Sequence, residues 1–376
     1  MTVVRPAWKL ALVAVLSVGA MGLGSCAPPP QLRVTTVVSG LGLPWDVTFA
    51  PDGRMFFTER AGRFRVRHPD GTVRRLQADL SDLWAVGEVG LMGIIVDPAF
   101  NQNRRLYSCQ GHASGDAHDI RIVPWVVSSD GQRLVRRPAI VTGIPATSGS
   151  HGGCRLRFGG PDQSLWIGTG DATTGTNPQD LTSLGGKILR VNRFTGDGVA
   201  ANPFSSSANA NTRRVLSYGH RNVQGIARRA DGTMWTVEHG TGRDDEINRG
   251  IRGNFGWDPV PGYNEGRPMT DLEKFPNAVV AVWSSGVPTL ATSGATWLTG
   301  SRWGTWEDHL AVATLKDESL RIFKASPNGT KLTLVATLFK GRFGRLRAAQ
   351  MGPDGALYLT TSNGNLQDRI LRVAPA

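Results

Sequence analysis

Residues 47–71 read VTFAPDGRMFFTERAGRFRVRHPDG. Apolar and polar residues alternate on both sides of Pro51-Asp52-Gly53, as strands half-buried in a sheet require. The tripeptide between them is a tight turn: proline presets one φ angle, and glycine takes the positive φ that other residues resist. A second glycine, Gly62, separates MFFTE from RFRVR, so the stretch encodes three short antiparallel strands in succession.

The phrase returns along the chain. It appears as MGIIVDPAFNQNRRLYSCQG from Met92, RLRFGGPDQSLWIGTGD from Arg155 and GIARRADGTMWTVEHG from Gly225. A weaker copy begins at Gly294 (GATWLTGSRWGTWEDHLAVATLKDESLRIF) and the last at Ala348 (AAQMGPDGALYLTTSNGNLQDRILRV). Six copies, roughly 45 to 75 residues apart and worth three or four strands each, predict an all-β fold: a six-bladed β-propeller with four-stranded antiparallel blades. Two separate β domains would need a linker, and none interrupts the series. LRVTTVVSG, residues 32–40, is expected to pair with the C-terminal RILRVAPA and close the ring. A propeller gathers its ligand over the central channel, so functional residues should be far apart in sequence and sit at strand entrances.

Composition narrows the function. The formal net charge is +12, with only seven lysines among 42 basic residues. The arginines are scattered, and no helix-turn-helix, zinc or RNA-binding signature accompanies them, so nucleic acid is not an expected partner. A few arginines reserved for an anionic ligand suit the pattern better. At the N-terminus, Arg5 and Lys9 precede LALVAVLSVGAMGLG, an apolar run too short for a comfortable membrane span, which ends in LGSC. This reads as a lipoprotein-type signal over residues 1–25, with Cys26 lipidated. An ordinary secretory signal or an uncleaved anchor is the alternative. A tether over 26–37 and a propeller domain over 38–376 follow, placing the protein at the cell envelope, held to the outer face of a membrane only by its lipid. Cys109 and Cys154 remain, and outside the cytosol they are expected to pair.

Short polar motifs that packing does not need sit between the blades. GEVGLMG brings Glu88, SGSHGG brings His151, and WIGTGD ends at Asp171. YGHRNVQGI supplies His220, Arg221, Asn222 and Gln224, and VEHGTGRDDEIN supplies Gly240, Thr241, Asp244, Asp245 and Glu246. ATLKDESL carries Lys316, and GRLRAAQMGPDG carries Arg345 and Arg347. Singly, each has a bland reading: a loop histidine, a solvated corner, an exposed acidic turn. The acidic run lacks EF-hand spacing, and the glycine-rich GTGDATTGTNPQD is neither a P-loop nor a dinucleotide fingerprint.

Their order resembles the soluble quinoprotein sugar dehydrogenases, the glucose/sorbosone dehydrogenase family, over about residues 38–374. The most specific matches are GEVGLMGIIVDPAF, SHGGCRLRFG, QDLTSLGGKILRVN, YGHRNVQGIA, EHGTGRDDEIN, NFGWD and GRLRAAQMGPDGALY. The resemblance implies oxidation of aldoses at C1 to lactones by hydride transfer to pyrroloquinoline quinone (PQQ), assisted by Ca²⁺, with an external electron acceptor. His151 matches the general base, a task suited to an imidazole that is neutral near pH 7. Asp171 matches its orienting carboxylate, and Glu88 a residue of the cofactor region. Arg221 and Asn222 match residues that hold the quinone, the arginine beside the oxygen that gains charge, and Gln224 is a weaker match. Lys316, Arg345 and Arg347 match the cationic clamp on the cofactor's carboxylates. Gly240 and Thr241 match the pair whose backbone carbonyls bind calcium.

Two departures stand out: Cys154 replaces a usual glycine, and Ala348 an acidic residue. A catalytically silent propeller that binds a sugar or protein partner at the cell envelope is the competing reading, because a fold alone does not assign function. A lactone-hydrolysing propeller would need a side-chain metal site that these motifs do not offer.

Overall fold

The computed structural model describes residues 1–2 and 28–376. The proposed signal and Cys26 lie outside these residues. Six four-stranded units are present. The strands at Pro44–Phe49, Leu91–Val96, Gly153–Gly159, Val223–Arg228, Thr292–Trp297 and Leu346–Met351 each open one unit. Each of these packs against the next, and the last against the first, so the six form a closed ring about a central axis. The six-bladed propeller expected from the repeated phrase is the fold.

Pro51-Asp52-Gly53 turns the chain from the first strand to the second of its blade, with Gly53 at φ 83°. The inner strands are covered on both faces by neighbouring blades. Met55–Glu59 is therefore buried along its whole length, whereas the outermost Val73–Ala78 is buried at Leu76 alone. The blades adhere through large apolar side chains. Trp235 of the fourth blade meets Trp297 of the fifth edge-on at 5.3 Å, a contact worth about 0.5–1.5 kcal/mol beyond area burial.

Ring closure uses both ends of the chain. Leu32–Leu41 pairs antiparallel with Asp368–Pro375, Val34 opposite Val373 and Thr36 opposite Leu371. This corrects one boundary. The domain begins at Leu32 rather than at residue 38, because residues 32–37 carry the closing ladder and Leu32 and Val34 pack on the core. The tether retains only the chain before that strand.

Cys109 and Cys154 form a disulfide with Cα atoms 5.6 Å apart. It joins the second strand of the second blade to the inner strand of the third, across 45 residues of sequence. Closing a loop of that length removes denatured-state entropy worth about 4 kcal/mol.

Candidate active site

The loops that feed the inner strands, and those that join second to third strands, converge on one end of the channel. Glu88, His151, Arg221 and Arg345 lie just before inner strands, while Asp171, Gly240 and Lys316 lie just after second strands. Residues up to 257 positions apart, from Glu88 to Arg345, are thereby brought to one mouth.

His151 is held at its ring and at its backbone. Its Nδ1–H donates to Asp171 Oδ1 at 2.8 Å, and its backbone N–H to Glu88 Oε2 at 3.0 Å. Because Asp171 can only accept at that distance, Nδ1 carries the proton and Nε2 keeps its lone pair. No protein group bonds Nε2 among the described residues. Asp171 is fully buried, and its carboxylate is saturated. Oδ1 also accepts from Thr173 N (2.9 Å), and Oδ2 accepts from Trp257 Nε1 (2.8 Å) and the Tyr263 hydroxyl (2.8 Å). Behind it, Lys187 Nζ donates to three carbonyls, those of Asn177 (2.6 Å), Gly185 (2.7 Å) and Pro178 (3.1 Å). Asn177 Nδ2 in turn donates to the Asp171 carbonyl at 2.9 Å. The QDLTSLGGKILRV motif thus works as scaffolding for the dyad.

Basic groups face this dyad. Burial pushes the Glu88 carboxyl up, but His239, His151 and Arg347 around it hold it below the usual carboxylate range. Burial pushes Arg347 down to about 10, with Glu88 opposing and Arg155, Arg345 and Arg60 adding repulsion. Arg347 Nη1 donates to Gln224 Oε1 at 3.2 Å, and Nε to Ser362 Oγ at 3.3 Å, neither partner carrying charge. Arg345 is exposed, and among the described residues Lys316 Nζ bonds only the Thr289 hydroxyl, at 3.2 Å. Arg221 donates to the exposed Glu265 and, at 3.4 Å, to the His239 carbonyl.

The predicted residues therefore divide. Glu88, His151, Asp171, Arg221 and Arg347 form one electrostatic cluster, with Arg345 next to Arg347. Lys316 stands apart on the fifth blade, beside the Gly240 loop: its N–H shares the Leu290 carbonyl, and Leu290 N donates to Asp245. Asn222 and Gln224 are buried behind the mouth. Asn222 Oδ1 accepts from Gly153 N and from Gln224 Nε2, both at 3.1 Å, so these two brace the His151 loop and Arg347. His220 is also buried, held by Glu238 Oε1 at 2.8 Å and stacked on Phe255.

Gly240 must be glycine. A Cβ there would lie 2.1 Å from the Arg243 carbonyl oxygen and 2.4 Å from that of Asp244. Asp245, its carboxyl raised by burial, anchors the turn by accepting Gly240 N at 2.9 Å. Among the described residues no hydrogen bond ends on the Gly240 or Thr241 carbonyl, leaving two hard oxygens free for a cation.

Four contributors escaped the sequence reading. Arg60 donates to the Gly87 carbonyl and to that of Val89 at 3.3 Å, fixing the loop that carries Glu88. Burial pushes His239 down to about 3, although Glu88 pulls it up, and its Nε2 is buried without a partner among the described residues. Trp257 and Tyr263 come from a 33-residue excursion between the strands Glu246–Arg249 and Trp283–Ser284. NFGWD, matched as a motif with no role attached, contains Trp257, and no motif points to Tyr263.

The family description Glucose / Sorbosone dehydrogenase matches residues 41–372. The aldose sugar dehydrogenase YliI of Escherichia coli is 29% identical, the match covering 93% of this chain and 94% of that one. The apo-form crystal structure of the soluble aldose sugar dehydrogenase of E. coli superimposes with a TM-score of 0.82 at 26% identity, covering 92% and 100% of the two chains. The PQQ-bound aldose sugar dehydrogenase of Streptomyces coelicolor gives 0.75 at 29% identity, covering 93% and 99%.

Proposed function

The chain belongs to the glucose/sorbosone dehydrogenase family, and from that premise we propose that it is an exported quinoprotein that oxidises aldoses at C1 to lactones with PQQ and Ca²⁺. The observation that carries the reading is a His151–Asp171 dyad, its carboxylate fully buried and its Nε2 unpartnered among the described residues, beside a surplus of cations. A planar tricarboxylate suits this surplus. Arg345, Arg347 and Lys316 have no carboxylate partner among the described residues, and the His239 Nε2 is buried and unpaired. The free Gly240 and Thr241 carbonyls suit Ca²⁺, a hard cation that favours oxygen.

The bound quinone would supply a hydride acceptor at the mouth, polarised by the cation. His151 Nε2 takes the proton from the C1 hydroxyl, and Asp171 stabilises the imidazolium through Nδ1. Arg221, tethered through its backbone N–H to Glu238 Oε2 at 2.9 Å, places a guanidinium for the oxygen that gains charge. Arg345 and Arg347 hold carboxylates, with Lys316 as a third point charge. An external electron acceptor would be the redox partner. Export and the lipid anchor rest on the N-terminal LGSC motif, and the disulfide suits an oxidising compartment.

The test reconstitutes purified protein with PQQ and Ca²⁺ and follows dye reduction across a panel of aldoses. Turnover that requires both additions is expected. Neither turnover nor cofactor binding would overturn the reading.

A further inference from the structure

Two of the four donors on Asp171 come from another blade. Trp257 and Tyr263 lie on the long excursion of the fourth blade, yet both end on the carboxylate of the third. The phenol is 2.8 Å from Asp171 Oδ2 and also 3.0 Å from His151 Nδ1. Since Nδ1 already carries a proton, the Tyr263 hydroxyl donates to the carboxylate. Burial, then the neighbouring Asp171, push this phenol well above its ordinary range, so it remains a donor throughout the working pH range.

The loop is built to hold that hydroxyl in place. Gly175, in the turn that follows Asp171, lies under the backbone of Gly262. A Cβ on Gly175 would sit 2.1 Å from the Gly262 carbonyl oxygen. Asn264 N closes the other side of the loop on the Pro259 carbonyl at 2.8 Å. Tyr263 is thus clamped between the two, a placement that hydrophobic packing alone would not demand of a half-buried, polar side chain.

We infer that Tyr263 is a positioning residue for His151: by donating to Asp171 it disperses the carboxylate's charge and sets the basicity of the imidazole. The inference rests on His151 being the base, but the quantity tested does not depend on any cofactor. Besides Asp171 and Tyr263, the charged groups near His151 are Glu88 and His239, with Arg221 and Glu265 beyond Tyr263. Glu88 engages the backbone N–H of His151 rather than its ring, so Asp171 is the ring's direct charged partner. Removing one donor leaves more negative charge on Asp171. The imidazolium should then be held more firmly and His151 should titrate at higher pH.

The experiment labels histidine nitrogen in the cofactor-free protein and follows the His151 ring by NMR, its signals assigned by loss in His151→Gln. In Tyr263→Phe, which keeps the ring, the His151 titration midpoint should rise by about half to one pH unit. Gly175→Ala, which pushes the loop away without touching the phenol, should raise it in the same direction. In enzyme reconstituted with PQQ and Ca²⁺, the acid limb of kcat/KM should move with the NMR midpoint. A midpoint that is unchanged or lower in both variants overturns the inference. If the NMR shift appears but the reconstituted protein is inactive, the positioning role stands and the proposed activity fails.

Discussion

Asp171→Asn isolates the chemistry of the dyad. In the native protein each carboxylate oxygen meets one donor that cannot reverse: Thr173 N at 2.9 Å on Oδ1, and Trp257 Nε1 at 2.8 Å on Oδ2. An amide has one acceptor oxygen and one donor nitrogen. Whichever way it turns, its NH2 faces a fixed N–H inside a fully buried site. That conflict leaves buried donors unsatisfied, at a cost of about 1–3 kcal/mol in stability. If the NH2 takes the His151 side, it also drives the imidazole proton from Nδ1 to Nε2 and removes the lone pair needed for catalysis. If it takes the Trp257 side, His151 keeps its tautomer but loses the charge that stabilises the imidazolium. Turnover should therefore fall by ~10²–10⁴ in either orientation. Urea denaturation of the cofactor-free protein measures the first effect, and steady-state dye reduction by the reconstituted enzyme the second. A variant as stable as wild type, with kcat within a few-fold of it, would refute the geometry assigned to Asp171.

Three other outcomes follow from the same contacts. The pair Cys109→Ala with Cys154→Ala should lose about 4 kcal/mol of stability in denaturant titrations, reproduced in wild type only when the disulfide is reduced. Arg345→Gln with Arg347→Gln removes two charged donors worth about 1.5–3 kcal/mol each, so calorimetry should show PQQ affinity reduced by ~10²-fold or more. His239 titrates near 3 in the folded protein against an ordinary 6.5, so the unfolded chain binds its proton first as pH falls. Its contribution to stability is complete above pH 6.5 and declines towards pH 3, and His239→Gln should flatten that part of the pH–stability curve.

The strands were legible where two blades cover them. Runs such as MFFTE and SLWIGT are buried along their whole length and read as strands from composition alone. The outermost strands were harder to see. Leu332–Leu338 is fully buried only at its first residue, and the fourth blade's last strand is just Trp283–Ser284, so neither carries a strong periodic signal. Closure by residues 32–40 is readable in the sequence, but the start of the domain is not, because a short Pro-rich lead merges into the ladder without a break. At the site, His151, Asp171 and the arginines stood out as polar motifs between repeats. Tyr263, Trp257, His239 and Arg60 did not, because they act through contacts made across blades. A tyrosine that serves an aspartate 92 positions away leaves no local trace. Lys187 lies in a matched motif but carries no role there, because its work is done on three nearby carbonyls rather than on a charged partner.

Distant basic groups and one imidazole meet at one channel mouth, and a flat polyanion is the ligand proposed for it. A crystal structure of the protein soaked with PQQ and Ca²⁺ tests it directly. The ring system is expected between His151 and Arg221, with its carboxylates on Lys316, Arg345 and Arg347 and the cation on the Gly240 and Thr241 carbonyls. Quinone bound away from His151, or none at saturating concentration, would contradict it.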